Sequence, residues 1–97
     1  MDSIFNVSLL TPIGLQKGTI TFVEQNGGLS GSIRTMGSTN LFRNGKMNGH
    51  SFEFSGILNL GFFNPKYIAK GTIDGNTLKA VATTDFGTFQ INGTRAE

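Results

Sequence analysis

Lys66-Tyr67-Ile68-Ala69-Lys70-Gly71-Thr72-Ile73-Asp74-Gly75-Asn76-Thr77-Leu78-Lys79-Ala80-Val81-Ala82 is the stretch that decides the fold. Tyr67, Ala69, Gly71 and Ile73 recur at every second residue, the period that puts side chains on one face of a strand. Leu78, Ala80 and Ala82 repeat the pattern after Asp74-Gly75. Asp, Asn and Gly tolerate the positive φ of a tight hairpin turn, so the pair between two alternating runs marks a β-hairpin.

The same signal occurs twice more, at Asn26-Gly27-Gly28-Leu29 and at Asn48-Gly49-His50-Ser51-Phe52. Working outward from the three turns gives eight short strands, near 3–11, 16–25, 29–35, 39–47, 51–60, 66–73, 77–84 and 87–95. The other connections are Thr11-Pro12-Ile13-Gly14, Thr35-Met36-Gly37, Gly61-Phe62-Phe63-Asn64-Pro65 and Thr84-Asp85-Phe86-Gly87. In an up-and-down meander, alternate connections fall at opposite ends. One end is therefore expected to carry tight polar turns, and the other longer, more apolar loops.

Parity separates a dry face from a wet one in nearly every strand. The dry positions include Phe5, Val7, Leu9, Ile20, Phe22, Leu29, Ile33, Phe52, Phe54, Leu58, Tyr67, Ala69, Leu78, Phe89 and Ile91. Gly18, Gly31, Gly56, Gly71 and Gly93 share that parity, as expected where strands bend sharply or another group approaches closely. Closure also removes the edge strands that a small all-β protein would otherwise expose. The expected fold is all-β, a single antiparallel up-and-down β-barrel of about eight strands spanning residues 1–97.

Composition narrows the chemistry. The 97 residues include no Cys, which excludes disulfides, thiolate metal sites and Cys nucleophiles. Eight Lys and Arg against six Asp and Glu leave a formal charge of +2. The basic residues are scattered rather than striped, so no nucleic-acid partner is expected. Met1-Asp2-Ser3 offers no basic leader region, and no stretch approaches ~20 consecutive apolar residues. The expectation is a cytoplasmic protein with no membrane partner.

In strand count, in meander connectivity and in the Asp74-Gly75-Asn76-Thr77-Leu78 turn, the chain resembles the avidin-like and lipocalin-like small β-barrels, grouped as calycins. The sequence has no Trp, so neither the lipocalin Gly-x-Trp signature nor the Trp-lined biotin site of avidins is carried over. The chain is also similar to short Gly-rich barrel modules of bacteria, which occur alone or joined to larger enzymes. That likeness lies in Asn44-Gly45-Lys46, Phe52-Glu53-Phe54-Ser55-Gly56, Lys70-Gly71-Thr72-Ile73 and Ile91-Asn92-Gly93-Thr94-Arg95.

Catalytic constellations are hard to assemble from these residues. Nucleophilic catalysis needs a base beside the nucleophile, and the one His, His50, falls in a turn. The acids are dispersed, so no metal and no cofactor are expected. Two features stand out. If strand four alternates without interruption, Leu41 and Arg43 point inward, and a buried Arg needs an anionic partner. A bulge around Asn44-Gly45 would instead turn Phe42 inward and Arg43 out. Phe62-Phe63 lies in the longest loop, beside Pro65 and Tyr67, and either plugs the barrel mouth or leaves one ring for a partner.

The expected function is a non-catalytic small barrel that binds a small apolar ligand, assembles as a homodimer, or does both. The alternatives are an accessory interaction module of a larger enzyme and, more distantly, a barrel-lumen isomerase or cyclase. Candidate ligand contacts at the mouth are Phe62, Phe63, Tyr67, Phe86 and Arg43. Candidate interface residues are Ile57, Ile68 and Val81, apolar side chains of outward parity on three successive strands.

Overall fold

The computed structural model describes residues 2–11, 14–35, 37–59 and 64–96. They form β1 (Asp2–Thr11), β2 (Gly14–Gln25), β3 (Gly28–Thr35), β4 (Ser38–Asn48), β5 (Ser51–Ile57), β6 (Lys66–Asp74), β7 (Thr77–Thr84) and β8 (Gly87–Arg95). Each strand pairs antiparallel with the next, and β8 returns to β1 through Phe5↔Arg95 to Leu10↔Gln90. The result is a closed eight-stranded up-and-down barrel of calycin-like architecture.

The three polar turns have the backbone that their residues imply. Asn26 and Gly27 both have positive φ (55° and 81°), the type I′ requirement. In the other two turns Gly49 and Gly75 alone are positive, at 64° and 63°, with His50 and Asn76 following, as in type II′. At the opposite end the expected longer loops prove shorter. Thr11↔Gly14, Thr35↔Ser38 and Thr84↔Gly87 are ladder partners, so at three of those four connections strand pairing runs to within two residues of the next strand. Extended pairing right up to the turn was not legible from the Thr-x-(x)-Gly spacing.

Inward parity holds along the described strands. Phe5, Phe22, Phe54, Leu9, Ile20, Leu29, Ile33, Leu58, Leu78 and Ile91 are all but fully buried. Phe22 is the hub, with ring centroids of Phe5, Phe42, Phe52 and Phe54 at 5.9, 6.0, 5.2 and 5.8 Å. Gly71 shows why glycine interrupts this face. A Cβ there would collide with the Lys79 carbonyl and meet the Ala80 Cβ at 2.5 Å.

β4 contains the bulge. Leu29 pairs with Gly45 and Gly31 with Phe42, so one residue of β3 spans the two residues Arg43 and Asn44. The slip turns Phe42 into the core and leaves Arg43 exposed. It also sets Asn40, rather than Leu41, at inward parity. Beyond the bulge, β4 and β5 share only the three pairs Lys46↔Glu53, Met47↔Phe52 and Asn48↔Ser51. The upper halves of the two strands splay apart. Accordingly β5 ends at Ile57, not at residue 60 as the alternation suggests. Leu60 lies outside the described residues.

Candidate functional site

The two ends of the barrel are closed differently. At the polar-turn end Arg95 sets its guanidinium 4.7 Å from the Phe5 ring centroid and donates from Nη2 to the Gly75 carbonyl at 3.2 Å. The turn His50 belongs to this end as well. Its Nδ1 lies 3.1 Å from the Ile73 carbonyl, and the Ile73 N–H donates to the His50 carbonyl at 2.8 Å. These contacts give His50 a turn-stabilising job.

The opposite end holds the buried polar side chains, Thr11, Thr35 and Asn40. Thr11 donates to the Gly14 carbonyl at 2.8 Å and Thr35 to the Lys17 carbonyl at 3.1 Å. Asn40 donates to the Ile33 carbonyl at 3.3 Å and accepts the Asn59 N–H at 3.0 Å. The Ser38 hydroxyl lies 3.2 Å from the Asn59 carbonyl. Leu58 donates its N–H to the Pro65 carbonyl at 3.0 Å and is itself fully buried. Asn40 and Ser38 therefore anchor the chain leaving β5 across the splayed seam, with Leu58 as a stopper. Buried polar groups are expected to be bonded in this way.

Tyr67 is the exception. Its side chain is buried, yet its hydroxyl finds no hydrogen-bond partner among the described residues. It faces Gly56, where a Cβ would sit 3.1 Å from the hydroxyl oxygen. Burial raises the Tyr67 pKa far above the ordinary tyrosine value, because the phenolate would lose its hydration. The neutral phenol is held.

Outside Tyr67, a recess of about 510 Å3 opens at the rim between β5, β6 and β7. Ile57 and Ile68 supply its apolar wall, Ser55, Thr83 and Thr84 its hydroxyls, and Lys66 and Asp85 its charges. Ile57 pairs with Lys66 and Ile68 with Ser55, so the two isoleucines are diagonal neighbours on adjacent strands. Val81 continues the diagonal onto β7, since it pairs with Lys70 while Ile68 pairs with Thr83. All three are about half exposed, at 54%, 51% and 44%. A second hollow, about 530 Å3, lies in the other half of the wall and is lined by Lys46, Asn48, Ser51, Glu53, Lys70 and Thr72 beside Phe52. It is open, with charged side chains of both signs among its lining residues.

The structure thus sorts the residues singled out in the sequence. Tyr67 and the pair Ile57 and Ile68 line one recess, with Phe86 exposed in the adjoining β7–β8 turn. Arg43 is not with them: it lines an outer hollow over β2, β3 and β4 with Thr21, Val23 and Leu41. Phe62 and Phe63 lie outside the described residues. Asn40 was missed, because its inward parity exists only once the bulge is in place. Among the described residues no group of three His, Asp or Glu side chains gathers. No family model matches the chain, and no match was found among curated proteins.

Proposed function

We propose that this protein is a non-catalytic binding module that works through the outer wall and rim at its apolar end, not through its lumen. The observation that carries this reading is the packing of the interior by the chain's own Phe5, Phe22, Phe42, Phe52 and Phe54, beside an open recess floored by Ile57 and Ile68. Eight strands enclose room for side chains or for one small ligand, and here the side chains take it. A small apolar ligand would lie against Ile57 and Ile68, with the Thr83 and Ser55 hydroxyls at its edge. Kinship with avidins or lipocalins within the calycin architecture is part of the same reading, supported by strand order and by the Asp74–Leu78 turn.

A second reading, a two-fold homodimer through this wall, is favoured by the charges around it. Lys66 and Asp85 flank the Ile57–Ile68 pair, and a two-fold axis passing between them would bring each to face the other's copy. Native mass spectrometry of gently purified protein tests both readings. A retained small molecule or a mass of two chains supports binding, and a bare monomer at every concentration removes it.

A further inference from the structure

The apolar residues exposed on this barrel are not spread evenly along its axis. Among the described residues Leu41, Phe86 and Leu15 are its three most exposed large apolar side chains, at 63%, 62% and 60%, and Ile57 and Leu10 follow at 54% and 53%. All five lie within three residues of the end where β1, β3, β5 and β7 finish. Leu10 and Leu15 are direct ladder partners on β1 and β2, Leu41 is on β4, and Phe86 is at the β7–β8 turn. Between them they reach around the barrel, which a patch for a single flanking protein does not do. At the polar-turn end the one exposed large apolar side chain among the described residues is Ile4.

Charge follows the same axis. Lys17, Arg34 and Lys66 stand exposed near the apolar end, with Asp85 as the one acid there among the described residues. These four residues sum to +2, the formal excess of the whole chain, and the other ten charged residues of the sequence balance, five of each sign. A rim of leucine and phenylalanine with lysine and arginine just behind it fits a plane that is oily within and negative at its surface. The wall further down carries outward Lys46, Glu53, Lys70 and Lys79, and the interior is apolar, the reverse of a barrel that spans a bilayer.

We infer that the protein docks end-on to an anionic lipid surface, seating Leu10, Leu15, Leu41 and Phe86 among the headgroups with Lys17, Arg34 and Lys66 on the phosphates. This deepens the binding reading by naming a partner. The expectation of no membrane partner rested on the lack of a long apolar run, and that count addresses spanning segments alone. Apolar residues contributed singly by separate strands escape it.

The test is co-sedimentation of the full chain with vesicles of phosphatidylcholine alone and with about one-third phosphatidylserine. The wild type should pellet with the anionic vesicles and be released by salt. Leu15→Ser or Phe86→Ser should weaken binding about tenfold each, and Lys17→Gln with Lys66→Gln about fivefold per charge. Ile4→Ser, at the far end, should leave binding unchanged. All these positions are exposed, and circular dichroism confirms that the variants fold. Wild type that stays in the supernatant with both vesicles overturns the inference, as does Ile4→Ser weakening binding as much as Phe86→Ser. If vesicles are ignored but Leu15→Ser and Phe86→Ser alter the subunit count, the end belongs to a second copy and the lipid assignment falls. A protein that ignores vesicles yet retains a ligand or dimerises keeps the binding reading, and one that does none of these loses both.

Discussion

The rings of Phe42 and Phe54 stack at a centroid distance of 4.0 Å and an interplanar angle of 17°, inside the seam where β4 and β5 stop pairing. Backbone pairing there ends at Lys46↔Glu53, and the two rings fill the wedge that the splayed strands leave. Phe54 also contacts Phe22, Phe52 and Tyr67, so it joins the seam to the core hub.

Phe54→Ala should therefore destabilise the barrel by about 3–5 kcal/mol, the range for deleting a large buried ring. Phe42→Ala should fall in the same range, and the double variant should lose less than the sum because the rings share one contact. Urea unfolding measures all three. A loss below about 1 kcal/mol for Phe54→Ala would contradict the inward parity of β5.

How far the sequence carried is clearest on β4. Seven strands could be read from alternation and turn residues, because inside and outside differ at every second position. On β4 the sequence Leu41-Phe42-Arg43-Asn44-Gly45 supports two phases, and alternation cannot choose between them. The extra residue opposite Ser30 chooses, by burying an aromatic ring instead of a guanidinium. Asn40 then enters the core layer with its amide bonded on both sides, a consequence that no local pattern announces. The site was legible in part for the same reason. Ile57, Ile68 and Tyr67 follow from parity, but that they share a rim depends on the register between three strands.

Asn40→Ala should cost about 1–3 kcal/mol, since it leaves the Asn59 N–H without its acceptor at the seam. Hydrogen exchange locates the effect. The Asn59 and Leu58 amides should lose protection before those of β7 and β8, whose ladder is continuous from Thr77↔Thr94 to Thr84↔Gly87.

Tyr67 is the sole tyrosine of a chain without tryptophan, so its phenolate absorbance titrates as a single group. In the unfolded chain it ionises near pH 10, whereas burial raises the folded value well above that. Protons are thus retained by the folded form and lost by the unfolded one above pH ~10. Stability from this group is full below that pH and falls as pH rises past it. Phenolate absorbance should appear only with unfolding, and Tyr67→Phe should abolish this part of the alkaline slope. Because the hydroxyl is buried without a partner among the described residues, Tyr67→Phe should also be neutral or stabilising at pH 7. A smooth titration near pH 10 with circular dichroism unchanged would show that the hydroxyl reaches water.

The wall of Ile57, Ile68 and Val81 yields the last prediction. Ile57, Ile68 and Val81, each about half exposed and set in a diagonal across three strands, form a patch that cross-strand neighbours on their own barrel do not cover. A stable interface needs about 800 Å2 per partner, on the order of one-seventh of the 5806 Å2 surface, which the face formed by β5, β6 and β7 can supply. In a two-fold pair whose axis runs parallel to the barrels and between Lys66 and Asp85, Lys66 of each copy meets Asp85 of the other near the rim. Both apolar ends then lie in one plane, so dimerisation and docking on a lipid surface do not compete. Light scattering at micromolar concentration should give twice the chain mass. Ile57→Lys with Val81→Lys should return a folded monomer, because two charges per copy would be buried unpaired. Lys66→Asp alone should weaken the dimer by setting like charges opposite, and adding Asp85→Lys should restore it. A wild-type monomer would end this assignment, as would a dimer indifferent to Ile57→Lys with Val81→Lys.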